Sequence, residues 1–240
     1  MATAQQGPRA RYREQTRTEI KETALRQLAD GGVAALALTR IAKDMGLSGP
    51  ALYRYFAGRD DLLNALIRDA YDDAASAMGG AAARSEAAGR SPRERLHSLA
   101  GAYRAWAVGE PHRYLLIQGS PVPGHVAPAD TLERARAVLA PFLPLFAGGA
   151  PGPGVAPVVT QMTAWLGAET AVGDWVAEYA ADAADPAASA RALAGAVLAW
   201  AQLHGSVGLE VAGQFAGMGH DGDTLLAAQT DMLADAFALA

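Results

Sequence analysis

Five histidines are the residues best suited to acid–base or metal chemistry: His97, His112, His125, His204 and His220. No two of them stand at HExxH spacing, and the chain has no GxSxG nucleophile elbow and no phosphate-cradling P-loop. Glu94 and His97 form an i, i+3 pair, the spacing of di-iron bundle ligands, but no second Glu-x-x-His accompanies them. His204, alone on an apolar helix face, reads as a hydrogen-bonded core or interface residue. Cysteine is absent, which excludes disulfides and thiolate metal sites and is compatible with a reducing compartment. The residue types therefore predict neither an enzyme nor a cofactor or metal protein.

Recognition chemistry is better provided for. In the stretch Leu36 to Leu63, LALTRIAKDMGLSGPALYRYFAGRDDLL, Leu38, Ile41, Ala42 and Met45 fall at i, i+3, i+4 and i+7, the apolar stripe of a helix barely two turns long. Gly46 supplies a permissive backbone past its end, and Leu47 plugs the corner. Ser48 can cap a second helix that starts at Gly49 and carries Pro50 in its first turn, where a missing N–H costs nothing. Leu52 and Phe56 face inward, so Gly49, Pro50, Ala51, Tyr53 and Tyr55 lie on or near the outward surface. A small, uncharged leading edge suits close approach to base pairs, as in helix-turn-helix docking into the major groove.

The run IAKDMGLSGPALYRYFAGRDDLL resembles the signature of TetR-type transcriptional regulators. The matching residues are Ile41-Ala42, Gly46-Leu47-Ser48, Leu52-Tyr53, Phe56, Arg59 and Leu62. The resemblance implies that Tyr53 and Arg59 hold DNA phosphates, that Thr39, Gly49, Pro50 and Tyr55 lie against bases, and that Arg40, Ser48 and Ala51 share the interface. Two departures stand out. Ala37 occupies the position where the family usually caps the first helix with Ser or Thr, a loss of roughly 0.5–2 kcal/mol unless Thr39 shifts the helix start or packing compensates. Arg59 replaces the usual Lys.

The elements that must position this head follow from the rest of the chain. Residues 1 to about 11 read as a polar arm in which Arg9, Arg11 and Arg13 could reach DNA, and a helix runs from about Tyr12 to Ala29 with Ile20, Ala24 and Leu28 inward. Residues 1–68 carry a net charge of +4 and the remainder −9, within an overall −5, so the head is basic in an acidic protein. A fourth helix, with Asp60-Asp61 in its first turn, leads away from the head, and Gly79 to Arg90 reads as a joint without a periodic face. The domain reading is 1–60 for the arm and DNA-binding head and 61–240 for a larger helical regulatory, ligand-binding and dimerisation domain. No strand-like alternation appears, and the fold class is all-α.

In the second domain a capping box at Ser91 to Glu94 opens a helix, SPVPGHVAP reads as a loop, Asp130 to Ala147 reads as helical again, and Ala150 to Pro157 as a linker. The eighteen uncharged residues Ala192 to Leu209 meet the length of a membrane span, but Gln202, His204 and Ser206 and the many small residues favour a buried interface helix, so no membrane partner is expected. Trp200, His204-Gly205, Leu209-Glu210, Gly213 and Phe215 resemble the Trp-His-Gly signature of a carboxy-terminal regulatory domain of the same family. Trp200, His204, Gly205, Met232 and Ala236 are the expected homodimer contacts. Tyr103, Trp106, His112, Tyr114, Gln118, Gln161, Met162 and Trp165 are the candidate lining of an effector pocket.

The expectation is a cytoplasmic homodimeric repressor that binds double-stranded DNA at an inverted repeat and is released by a small apolar effector. The amino terminus has no apolar secretory region. The competing reading is a helical small-molecule-binding or interaction protein without operator binding.

Overall fold

The computed structural model describes residues 7–118, 128, 130–180 and 185–240, and among them every regular element is a helix. Most of SPVPGHVAP lies outside the described residues. The chain divides into two compact units, residues 1–70 with 112–128, and residues 71–111 with 129–240.

In the first unit α1 (Pro8–Gly31) begins earlier than its apolar spacing suggests. Pro8 has no N–H to leave unpaired and its φ is already helical, so the helix starts behind Gly7 and takes Arg9, Arg11 and Arg13 into its first turns. Ile20, Ala24 and Leu28 are buried as their spacing requires, and so are Leu38, Ile41 and Ala42 of α2 (Leu38–Asp44), Leu52 of α3 (Gly49–Leu52), Phe56, and Leu62, Leu63 and Leu66 of α4 (Arg59–Ala87). Lys21 pairs with Asp69 at 2.7 Å. The short α6 (Pro111–Gln118) also belongs to this unit from His112 onward.

The expected joint at residues 79–90 is largely helix. Ala74, Met78, Ala81 and Ser85 are buried in steps of three and four, and alanine's helix propensity outweighs the cost of Gly79 and Gly80, about 1 kcal/mol each. Only beyond Ala87 does α4 end, with Gly89 at φ +63° and the Arg90 N–H bonded to the Ser85 carbonyl at 3.1 Å.

The second unit is assembled around α11 (Pro186–Val211), capped by the Asp185 carboxylate on the Ala188 N–H at 2.6 Å. This is the helix long and apolar enough to cross a membrane by length and composition, and half of its most apolar window is buried in the protein. Gly195 has a structural reason: a Cβ there would stand 2.0 Å from the Phe146 ring, which also meets Phe237 edge-on at 4.9 Å. Around α11 lie α5 (Pro92–Gly109), α8 (Leu143–Ala147), α9 (Ala156–Ala168), α10 (Thr170–Tyr179) and α12 (Gly222–Ala236). The capping box holds: Ser91 Oγ accepts from the Glu94 N–H at 3.4 Å, and the Ser91 N–H donates to the Glu94 carboxylate at 2.8 Å. The stretch read as helical over 130–147 is α7 (Thr131–Leu139), a 3-10 turn and α8 in succession, with Pro141 and Pro144 each removing a helical N–H.

Candidate nucleic-acid interface and effector cleft

The turn of the head is built as its residues dictate. Gly46 sits at φ +66°, its N–H bonds the Lys43 carbonyl at 3.2 Å, and the Leu47 N–H reaches back to the Ala42 carbonyl at 2.8 Å, a Schellman closure of α2. Ser48 Oγ then accepts from the Ala51 N–H at 3.3 Å. Regular α-helix stops at Leu52, but the Tyr55 and Phe56 N–H groups still bond the Leu52 carbonyl, so the chain keeps turning to Phe56. Ala37 offers α2 no capping side chain, and its own N–H is accepted by the buried Gln27 side chain of α1 at 3.0 Å. Spacing along the stretch itself gives no hint of that partner.

Of the residues expected at DNA, Thr39, Arg40, Ser48 and Pro50 are exposed, Tyr53 is 52% exposed, and Gly49, Ala51 and Tyr55 are half-buried on the same short segments. Arg40 is engaged by Asp30 at 3.2 Å in an exposed pair. Arg59, expected at a phosphate, is half-buried and bonded within the head. Its Nη2 donates to the Val33 carbonyl at 2.7 Å and its Nε to the Leu36 carbonyl at 3.2 Å, so the guanidinium braces the turn that leads into α2. Arg17 does similar work, donating to the Tyr55 carbonyl at 2.8 Å with its guanidinium 4.2 Å from the centre of the Phe56 ring. Lys43 and Arg54 were not singled out by spacing, yet both are exposed and have no ion pair among the described residues. Their charge, beside the turn and within the basic head, was the available signal.

The second unit holds an apolar cleft of about 220 Å³ between α7, α9, α10 and α11, walled by Leu139, Trp165, Val172, Trp175, Val197 and Trp200 with Arg136 at its edge. Trp165, the one member of the expected pocket set that lines it, is 42% exposed. Gln161 is exposed and Met162 half-buried on α9, and neither lines the cleft. His112, Tyr114 and Gln118 belong to the first unit, where Tyr114 is fully buried and its hydroxyl pKa is pushed up to about 12 by burial. The cleft residues that were not anticipated do share helical periodicity, Leu193, Val197 and Trp200 on α11 and Leu132, Ala135 and Leu139 on α7, but such spacing equally describes plain core.

Tyr103 and Trp106 form an aromatic cluster with Trp200 and His204 instead. Ring centres of Tyr103 lie 5.7 Å from Trp106 and 5.5 Å from Trp200, and His204 meets Trp200 edge-on at 3.9 Å. The Tyr103 hydroxyl is 3.4 Å from His204 Nε2, and desolvation pushes the imidazole pKa down to about 4. His204 is therefore a neutral packing residue at ordinary pH. The Glu94 and His97 pair is also spoken for: Glu94 completes the capping box, and His97 meets Asp231 at 2.8 Å. Arg93 and His97 hold the Asp231 carboxyl below its ordinary pKa through their hydrogen bonds.

A helix-turn-helix head and a helical unit with an apolar cleft on the same chain are the two parts of a transcriptional regulator of the kind that the comparisons identify. Residues 20–66 match the family described as bacterial regulatory proteins, tetR family, and residues 96–233 match the tetracyclin repressor-like C-terminal domain. The chain belongs to the TetR family of transcriptional regulators. It is 35% identical over 236 residues to the HTH-type transcriptional regulator Rv1816 of Mycobacterium tuberculosis, covering 96% of each chain. Among solved structures it is similar to the regulatory protein SCO4313, with 42% identity, a TM-score of 0.75, and coverage of 95% of this chain and 100% of that one. The Bacillus subtilis FadR solved in complex with stearoyl-CoA shares the fold at 13% identity and a TM-score of 0.56, over 91% of this chain and 98% of that one.

Proposed function

We propose that the protein is a cytoplasmic homodimeric repressor that occupies an inverted-repeat operator and leaves it when a small apolar molecule enters the cleft walled by Trp165, Trp175 and Trp200. That cleft is the observation that carries the reading, because three tryptophans around about 220 Å³ form an apolar space in the unit that does not contain the head. In the head, Thr39, Gly49, Pro50 and Tyr55 read bases, while Tyr53, Lys43 and Arg54 hold phosphates, with Arg40, Ser48 and Ala51 alongside. Arg59 keeps the turn in shape.

The dimer uses the outward faces of α11 and α12. Gly205 and Ala201 are exposed on the first of these and Leu209 is 49% exposed, while Ala228 is exposed on the second and Met232 is 70% exposed. Apolar side chains of that size cost solvation free energy until they are covered. Trp200 and His204 turn toward Tyr103, so Gly205 and Met232, with Ala236 at their margin, make the contact.

Linkage tests the switch. A compound that releases the operator must bind the free protein better than the DNA-bound protein, and DNA must weaken its binding by the same factor, about 5- to 150-fold for 1–3 kcal/mol of coupling. Equal affinities of a cleft-binding compound with and without operator DNA would contradict the proposal.

A further inference from the structure

Arg136 and Trp175 of the apolar cleft also wall a second, open groove of about 320 Å³ along α7 and α10, lined by Glu133, Asp174, Glu178 and Tyr179. None of the three carboxylates has an ion pair among the described residues. With Arg136 as the one cation of the groove, its local formal charge is −2. Trp175, the shared wall, is 9% exposed, and its indole N–H has no hydrogen-bond partner among the described residues. Its ring already carries a cation, the Arg136 guanidinium 5.6 Å from the ring centre.

We infer that the effector site takes an amphiphilic cation, an apolar body seated among Trp165, Trp175 and Trp200 with an amine or quaternary ammonium head in the groove of Glu133, Asp174 and Glu178. The physical argument is charge complementarity on a low-dielectric wall. An apolar body alone would fill the cleft and leave the acidic groove unused, and an anionic head would face three carboxylates against one guanidinium. Aromatic faces beside the carboxylates favour a poorly hydrated ammonium over a compact, strongly hydrated cation. The inference rests on the cleft being the effector site and adds the chemistry of its head group.

The test is calorimetric titration of the DNA-free protein with octyltrimethylammonium, octanoate and 1-octanol, which share a tail and differ in charge. At low salt the cation should bind, one per chain, about tenfold more tightly than octanoate, with octanol between them, and the preference should shrink as salt is raised. Asp174→Asn with Glu178→Gln should abolish the preference and leave octanol affinity unchanged, whereas Trp165→Ala should weaken all three. Octanoate binding as tightly as the cation, a preference that survives the double substitution, or no saturable binding by any of the three would overturn the inference. Preferential binding of the cation with operator affinity unchanged would uphold the ligand chemistry of the cleft and overturn its role as the effector site proposed above.

Discussion

The Arg59 guanidinium donates to the carbonyl oxygen of Val33 at 2.7 Å, tying the first turn of α4 to the 3-10 turn that precedes the reading hairpin. Together with the bond to Leu36 this is a charge-assisted clasp. Arg59→Ala should lower head stability by roughly 1–3 kcal/mol, at the lower end because the side chain is 35% exposed. The salt dependence of DNA binding by the folded variant should stay as in the parent protein. Thermal unfolding alongside a salt series reads both quantities, and a flattened salt slope with unchanged stability would return Arg59 to the phosphate backbone.

Lys43→Ala and Arg54→Ala should behave in the opposite way. Each removes an exposed head cation with no ion pair among the described residues, so stability should hold while affinity falls for every sequence and the salt slope drops by about one. Fluorescence anisotropy with specific and scrambled duplexes at several salt concentrations measures this. Loss confined to the specific duplex would assign these residues to base reading.

His204 makes a pH prediction. Burial lowers its folded pKa to about 4, below the ordinary 6.5 of the unfolded chain. Above pH 6.5 the ring is neutral in both states and contributes no pH dependence. As pH falls from 6.5 toward 4, the unfolded chain takes up a proton that the folded protein resists, and stability drops by up to about 3 kcal/mol. Urea unfolding of the parent and His204→Gln at pH 7.5 and 4.5 isolates the contribution: the variant should lose less stability between the two. Parallel losses would mean that the folded protein accommodates the imidazolium.

Met232→Glu places a charge where a 70% exposed methionine stands on α12. Sedimentation should show the parent as a dimer at micromolar concentration and the variant as a helical monomer. A parent protein that sediments as a monomer would remove the dimer.

The head was largely legible in the sequence because its signals are local: a glycine forced to φ +66°, a serine three residues before the N–H it accepts, and an apolar stripe that admits one inward face. Gln27 at Ala37, Arg17 at Tyr55 and Arg59 at Val33 were not, because each joins segments 10, 38 and 26 residues apart and no periodicity encodes such a meeting. The family resemblance singled out Arg59 but not the Val33 and Leu36 carbonyls that it holds. In the second unit Trp165 lines the cleft, but the aromatics of α5 turn to Trp200 and His204, while Trp175 supplies a further wall. Which apolar face becomes pocket and which becomes core depends on how helices meet. The break of α7 from α8 was readable at Pro141 and Pro144, whereas the persistence of α4 through Gly79 and Gly80 depended on burial of Met78, Ala81 and Ser85.

The most direct test of the central claim is recovery of bound genomic DNA by the full-length protein, followed by footprinting of the enriched fragments. The account predicts a shared inverted repeat whose half-sites lie about 34 Å apart or a multiple of that spacing, protected on one face of the duplex. Fragments recovered in proportion to their abundance, with no common sequence and no footprint, would contradict it.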